Sequence, residues 1–234
     1  MIDLNQHPDV QAGLEQCKAA LANYQEHVAN LEQKTNQVSQ QQQSAEAAEA
    51  EAQAFKEQAR QRLRELAGKP DKKLHDLRAS ERASYSLAED YRSFMAELEL
   101  ARDEAELEVD RAASNYLSTR HAVLNEYARM LMQQAMANLE PLLAALKLQE
   151  RSHLAEGQFA EWRQRGFNSA LDAVMTNFKA ELSRRVGAYS LQEDPIVSSM
   201  PIDDSIRNRA SNARPLKVKS RQQALETRKQ ELNA

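Results

Sequence analysis

Apolar side chains recur at spacings of three and four residues from Leu14 to Val38 and, with some polar positions, from Leu74 to Val123; the pattern weakens after Val38 and is interrupted near residue 70. Such spacing marks the apolar seam of a coiled coil, so the sequence predicts two long helices. The first helix starts at Pro8, where a missing backbone N–H fits the first turn. Its early seam positions are Leu14, Cys17, Leu21, Tyr24, Val28, Leu31, Thr35 and Val38.

The interruption has the sequence Gly68-Lys69-Pro70-Asp71. Glycine commonly ends a helix and proline commonly starts one, so the chain is predicted to fold back here. Folding back places residue i opposite roughly residue 140 − i, which sets small side chains against large ones in the manner of close helix packing. Ala45 then faces Met95 and Leu31 faces Val109. Residues 8–139 are therefore predicted to form an antiparallel coiled-coil hairpin with its turn at 68–71.

One part of the first helix has two interpretations. Residues 40–43 are all glutamine, and a stretch rich in Ala and Glu follows them. This composition suits either a helix with little to bury or a disordered linker. The helix is favoured because Phe55, Ala59, Leu63 and Leu66 restore the apolar stripe.

A small helical base is predicted over residues 140–187. Pro141 should kink or restart a helix, and one amphipathic helix should run from Phe159 to Val186, with Gly187 at its C′ position. Methionines at 130, 132 and 136 suit either a core or an adaptable binding surface. The side chains expected to pack the base or a dimer are Leu142, Leu146, Trp162, Phe167, Leu171 and Phe178.

The tail, residues 188–234, contains three prolines and the acidic step Asp203-Asp204-Ser205. It is predicted to be extended with short turns up to about residue 215, followed by a basic helix. The two aspartates suit a helix cap or a contact better than acid–base chemistry, because adjacent side chains of an extended segment point apart. The final helix has few apolar residues and must dock on the base or on another copy. A homodimer is therefore expected.

Charge is distributed unevenly along the chain, whose net charge is −4. From Ser205 onward there are eight Lys or Arg and two Asp or Glu, a net of +6, so residues 1–204 carry −10. This asymmetry suits a tail that meets an acidic partner, and it equally suits a solvated basic helix.

Several function classes are disfavoured by what the sequence lacks. It has no phosphate-binding loop and no metal-binding His or Cys spacing, so neither an enzyme nor a cofactor is expected. The single cysteine fits a reducing compartment. No membrane-spanning stretch or signal peptide is recognised, so the protein is expected to stay where it is made. The tail has no aromatic residue for base stacking, which argues against nucleic-acid binding.

The chain resembles the polarity suppression (Psu) family of satellite phages through short pieces that occur in the same order. They are Leu14-Glu15-Gln16-Cys17, the hairpin glycine, Leu74-His75-Asp76-Leu77-Arg78, Val109-Asp110-Arg111-Ala112-Ala113-Ser114-Asn115-Tyr116, His121-Ala122-Val123, Leu142-Leu143-Ala144-Ala145-Leu146, Asp203-Asp204-Ser205, Ser220-Arg221 and Ala224-Leu225. Both arms are about three heptads longer than the family leads us to expect.

The resemblance implies an all-α, intertwined homodimer that decorates the satellite capsid and binds the host transcription terminator Rho, suppressing termination. It places the protein in the host bacterial cytoplasm and on the virion surface. The implied Rho-binding residues are Pro195, Asp203, Asp204, Ser205, Arg207 and Arg221. The alternative is a purely structural coiled-coil decoration or scaffolding protein that never touches Rho.

Overall fold

The computed structural model describes residues 8–66, 71–155 and 159–232, and these residues are almost entirely helical with no strand. The all-α class is therefore confirmed. Gly68, Lys69 and Pro70 of the predicted turn lie outside the described residues, as does Gly157. The helices are α1 Pro8–Glu65, α2 Lys72–Ala137, α3 Glu140–Ala155, α4 Phe159–Gln164, α5 Ala170–Ala188, α6 Pro195–Ser198, α7 Asp204–Asn212 and α8 Pro215–Leu232.

The chain divides into two compact units, each assembled from two separate stretches. The first unit comprises Met1–Glu15 and Arg120–Pro201, and the second comprises Gln16–Thr119 and Ile202–Ala234. The predicted boundaries near 139 and 187 fall beside helix ends, at Ala137 and Ala188.

In the second unit, α1 and α2 run antiparallel. Gln41 Nε2 donates to the Tyr91 carbonyl at 3.2 Å. Farther along α1, Ser84 Oγ donates to Glu51 Oε2 at 3.1 Å. Partner numbers fall as α1 numbers rise, which is the pattern of an antiparallel pair. Ala45 and Met95, predicted to face each other, line one groove.

Asp71 fixes the start of α2. Its Oδ1 accepts from the Leu74 backbone N–H at 2.8 Å, which satisfies one of the amide groups that a helix start leaves unpaired. Its Oδ2 accepts from Arg62 at 2.8 Å, near the end of α1. These two interactions, Arg62 first, lower the pKa of the Asp71 carboxyl. One side chain therefore caps α2 and ties it to α1.

The glutamine–alanine stretch is helical and contributes buried alanines, so the linker interpretation is wrong. Ala45, Ala48 and Ala52 are buried along one face of α1, and Ala88 and Ala105 are buried on α2. Small side chains on both helices let two backbones approach closely. This part of α1 has few large apolar residues in its sequence, yet it has a packed face made of alanines.

In the first unit, α1 and α2 also approach closely. A Cβ atom placed on Gly13 would lie 2.9 Å from Val123 Cγ2, closer than side chains tolerate. Tyr127 and Met130 continue the buried face of α2. The methionines divide between the two interpretations: Met130 is core, whereas Met132 and Met136 are more than half exposed.

The helix predicted from Phe159 to Val186 is wrong as a single element. It is divided into α4 and α5, and between them Gly166 has φ 85°, in the left-handed region that favours glycine. Ser169 then caps α5, since its Oγ accepts from the Asp172 N–H at 3.1 Å. At the other end, α5 continues through Gly187, so Gly187 is not its C′ residue.

Helix starts explain two other outcomes. Pro141 lies in the first turn of α3, after α2 has ended, so the predicted restart is confirmed. The prediction of an extended segment over 188–215 is wrong, because α6 and α7 occupy much of it. Asp194 and Asp203 cap these two helices.

Across the described ranges, none of the helices combines the length and apolar character needed to span a membrane.

Candidate interaction site

Asp194 holds α6 on α2 in the first unit. Its Oδ1 accepts from the N–H groups of Ile196 and Val197, at 2.9 and 3.0 Å, while its Oδ2 accepts from the Tyr127 hydroxyl at 3.0 Å. Burial, followed by this contact with Asp194, raises the pKa of Tyr127 to about 12. Pro195 occupies the first turn of α6 and is exposed. The site residue predicted at 195 therefore begins a short, capped helix.

Asp203 caps α7 in the second unit. Its Oδ1 accepts from the Ile206 N–H at 2.7 Å, so the predicted cap is confirmed. The next side chain, Asp204, is 92% exposed, and Ser205 and Arg207 are exposed as well. Arg207 Nη1 lies 3.5 Å from Asp204 Oδ1. The cap thus leaves a small, solvent-facing polar surface made by Asp204, Ser205 and Arg207.

The basic residues farther along the tail mainly face α2 of the same chain. Arg209 Nη1 lies 3.0 Å from Glu106 Oε1 and 3.5 Å from Asp110 Oδ1. Arg221 Nη2 lies 3.0 Å from Glu106 Oε2, and its Nη1 donates to Asp110 Oδ2. Two arginines from two helices therefore converge on one pair of carboxylates.

The same arrangement repeats one heptad farther along α8. Arg228 Nη1 donates to Asp103 Oδ2 at 2.9 Å, and its Nη2 donates to Glu99. Lys229 Nζ lies 2.6 Å from Glu104 Oε1. We call this set the charge ladder: the cations Arg209, Arg221, Arg228 and Lys229 with the carboxylates Glu99, Asp103, Glu104, Glu106 and Asp110.

The ladder fixes the direction of α8. From Arg221 to Arg228 the cations rise by seven residues, while their partners fall by seven, from Asp110 to Asp103. The helix α8 therefore runs antiparallel to α2 within the second unit. Leu225 lines grooves between the two helices, but no residue of α8 is buried. Ion pairs thus hold α8 on α2, with Leu225 adding a half-buried apolar contact.

Asp110 is the most constrained member of the ladder, because its side chain has no exposed surface. Burial raises the pKa of its carboxyl, and the contacts with Arg221 and then Arg209 oppose that rise. A buried carboxylate without partners is costly. Arg209 and Arg221 therefore matter mainly as the groups that neutralise Asp110.

The charge ladder changes the interpretation of the basic tail. The sequence suggested either an acidic partner or a solvated basic helix. The structure adds a third arrangement, in which half of the eight cations pair with carboxylates of α2. Arg221, expected from the resemblance to contact a partner, is occupied by Asp110 and Glu106. The sequence does contain a signal for this pairing, since Glu99, Asp103, Glu106 and Asp110 follow spacings of four, three and four.

Four of the six residues predicted to pack the base or a dimer are half-buried. Leu142, Leu146, Phe167 and Phe178 are half-buried, Leu171 is 45% exposed, and the side chain of Trp162 lies outside the described set. The helices α3 and α5 contact each other, yet α3 buries none of its residues. The first unit leaves a set of large apolar side chains exposed, namely Met132, Met136, Leu143, Leu148, Leu154, Leu171, Met175, Leu182, Val186, Tyr189 and Leu191.

Neither a metal site among the described residues nor a similar known protein adds to this picture. Within the part of the chain that the structure describes, no three His, Cys, Asp or Glu side chains are grouped to hold a metal ion. No protein-family model, curated protein or solved structure matches the chain. The resemblance to the Psu family therefore rests on the sequence pieces quoted above.

Proposed function

We propose that this chain is an interaction protein of the polarity suppression type, which decorates a phage capsid and binds the host terminator Rho. The observation that carries this proposal is the exposed surface of Asp204, Ser205 and Arg207, held in place by the Asp203 cap. These are residues to which the family resemblance assigns Rho contact. A capped helix start presents its side chains in a fixed direction, which lowers the entropy lost on binding.

A coiled-coil hairpin and a homodimer are part of the same proposal. The antiparallel contacts of α1 and α2 in the second unit support the hairpin. The exposed apolar side chains of the first unit support the dimer, because monomeric proteins rarely expose large contiguous apolar patches. Leu171, Met175, Leu182 and Val186 all lie on α5 and are 44–65% exposed. A second copy would cover them.

The dimer is expected to have twice the chain mass of 26.5 kDa in light scattering at micromolar concentration. Replacing Leu182 and Val186 with serine should shift the protein toward monomer, since both side chains would lose apolar burial in the interface. Leu87→Ser is the control, because Leu87 is comparably exposed but lies in the second unit. A wild-type chain that stays monomeric and well folded would refute the dimer.

The Rho interaction is tested by measuring RNA-dependent ATP hydrolysis by purified Rho. We expect the wild type to inhibit it and Asp204→Ala/Arg207→Ala to inhibit about tenfold less well, because two contact side chains are lost. The matched control is Glu57→Ala/Arg60→Ala, which removes another exposed ion pair with the same three-residue spacing. Circular dichroism should give the same helix content for all three proteins.

A purely structural role in the capsid is the second candidate, and the charge ladder is the observation that favours it. Cations such as Arg221 that pair with α2 have no need of an acidic partner. Wild-type protein that binds assembled capsids but neither binds Rho nor slows its ATPase would establish this role and refute the proposed one. Inhibition by the double variant equal to that of wild type would place the Rho contact elsewhere.

A further inference from the structure

The charge ladder divides the basic tail into cations that face α2 and cations that face solvent. Arg214, Lys217 and Lys219 belong to the second group, since all three are exposed and no described carboxylate pairs with them. Lys217 donates only to Asn212 Oδ1, at 3.3 Å. They lie together at the junction of α7 and α8. The tail therefore retains a localised positive charge after its internal pairing is complete.

A large apolar side chain lies among these cations. Leu216, between Arg214 and Lys217 in the chain, is 85% exposed, the highest value among the large apolar residues described. An α-helix turns about 100° per residue, so Leu216 lies about 180° around α8 from Leu225, which faces α2. Leu216 thus projects away from α2. Docking of α8 on α2 does not explain a leucine in this position.

We propose that Leu216, flanked by Arg214, Lys217 and Lys219, is a docking surface for a protein that carries an apolar pocket rimmed by carboxylates. This inference rests on the proposed function and names the second half of its partner-binding surface. An apolar centre with a charged rim is the usual anatomy of a protein interface. The rim charges would steer encounter and set specificity, while the leucine would supply affinity.

The surroundings favour a protein over a membrane or a nucleic acid. The cluster has three cations, Arg214, Lys217 and Lys219, fewer than the roughly four to eight of a basic segment that recognises lipid headgroups. The tail also has no aromatic side chain on which bases could stack. A single leucine gives shallow lipid insertion, whereas it can fill one pocket on a protein.

The test measures binding to purified Rho by four variants. Leu216→Ser should weaken binding about tenfold to a hundredfold, the effect of losing one buried leucine side chain. Lys217→Ser/Lys219→Ser should weaken binding at low salt and flatten its salt dependence, because screening then has fewer charge pairs to act on. The matched controls are Leu232→Ser, an exposed leucine at the far end of α8, and Lys72→Ser/Lys73→Ser on α2. Thermal midpoints should not change, since the replaced side chains are exposed.

The outcomes separate this inference from the proposed function. If wild type fails to bind Rho, the proposed function is refuted, and the same four variants are measured on assembled capsids. Loss of capsid binding by Leu216→Ser alone would then support the docking surface. The inference is overturned if Leu216→Ser binds like Leu232→Ser, or if wild type binds neither partner. It is also overturned if wild type instead binds phosphatidylserine-containing vesicles or a single-stranded oligonucleotide through Leu216.

Discussion

Replacing Arg221 with alanine is expected to lower the free energy of unfolding by about 3–5 kcal/mol, the usual cost of leaving a buried charge without its partner. The Asp110 side chain has no exposed surface, and Arg221 provides its main neutralising contact. Arg209 would remain as a partner, but at the longer distance of 3.5 Å. Urea unfolding followed by circular dichroism, at one fixed protein concentration, measures the change.

Two comparisons make this prediction specific to the charge ladder. Arg214→Ala removes an exposed tail arginine with no described partner carboxylate, so its effect should stay within about 0.5 kcal/mol. In the double variant Asp110→Ala/Arg221→Ala, the total loss should be smaller than the sum of the single losses by about 0.5–3 kcal/mol. If Arg221→Ala unfolds at the same urea concentration as Arg214→Ala, the ladder does not stabilise the fold.

The pH dependence of the Arg221→Ala loss follows from the raised pKa of Asp110. The folded Asp110 carboxyl binds its proton more tightly than the unfolded one. The protonated carboxyl therefore contributes stability that is fully present below the unfolded pKa of about 3.9 and is lost as pH rises through the folded pKa. Burial raises the pKa of Asp110, and removing Arg221 takes away the main contact that opposes this rise. The deficit of Arg221→Ala should therefore be larger at pH 7 than at pH 4, and Asp110→Asn should abolish that difference.

Replacing Asp194 with alanine is the second large effect we expect, a loss on the order of 3 kcal/mol. About 1 kcal/mol comes from the cap of α6, and about 1.5–3 kcal/mol comes from the hydrogen bond of Tyr127 to a charged acceptor. Tyr127→Phe removes only the second contribution. Asp194→Asn keeps an oxygen acceptor for the Ile196 and Val197 amides and should lose less than alanine.

Alkaline titration gives an independent measurement of the same contact. The pKa of Tyr127 is raised to about 12. The stability contributed by its protonated hydroxyl is therefore fully present below the ordinary tyrosine pKa of about 10 and is lost as the pH rises from that value through the folded pKa. The absorbance change near pH 12 should be missing in Tyr127→Phe. Identical titration curves for the two proteins would show that Tyr127 does not hold its proton in this way.

Features decided by neighbouring residues were predictable from the sequence. The long α1 and α2 follow from the three-four spacing, and the restart at Pro141 follows from the missing N–H of proline. The break at Gly166 was not predicted, because the three-four spacing of apolar residues resumes at Phe167 after a single five-residue step from Trp162. Capping by Ser169 and a left-handed glycine outweighed that periodicity.

The candidate site was predictable only in part, for a different physical reason. Asp203 and Asp204 were expected from their chemistry to form a cap or a contact, and Asp203 is a cap. The pairing of Arg221 with Asp110 joins residues 111 positions apart, and nothing local in either segment selects the other. Pairing over such a separation depends on how the whole second unit packs. The sequence therefore left the basic tail between an acidic partner and a solvated helix, and the internal pairing of half of its cations was not predicted.

The separation between Asp110 and Arg221 also has a consequence for how the chain is made. At the usual rate of about 5–20 residues per second, a ribosome takes roughly 5–20 s to add the intervening segment. Throughout that interval Asp110 and its neighbouring carboxylates stay hydrated, because the cations that cover them have not been synthesised. The contact of α8 with α2 thus forms only after α8 has been synthesised. Until then the acidic face of the nascent chain is open to any cationic competitor, a newly made tail of a second chain included.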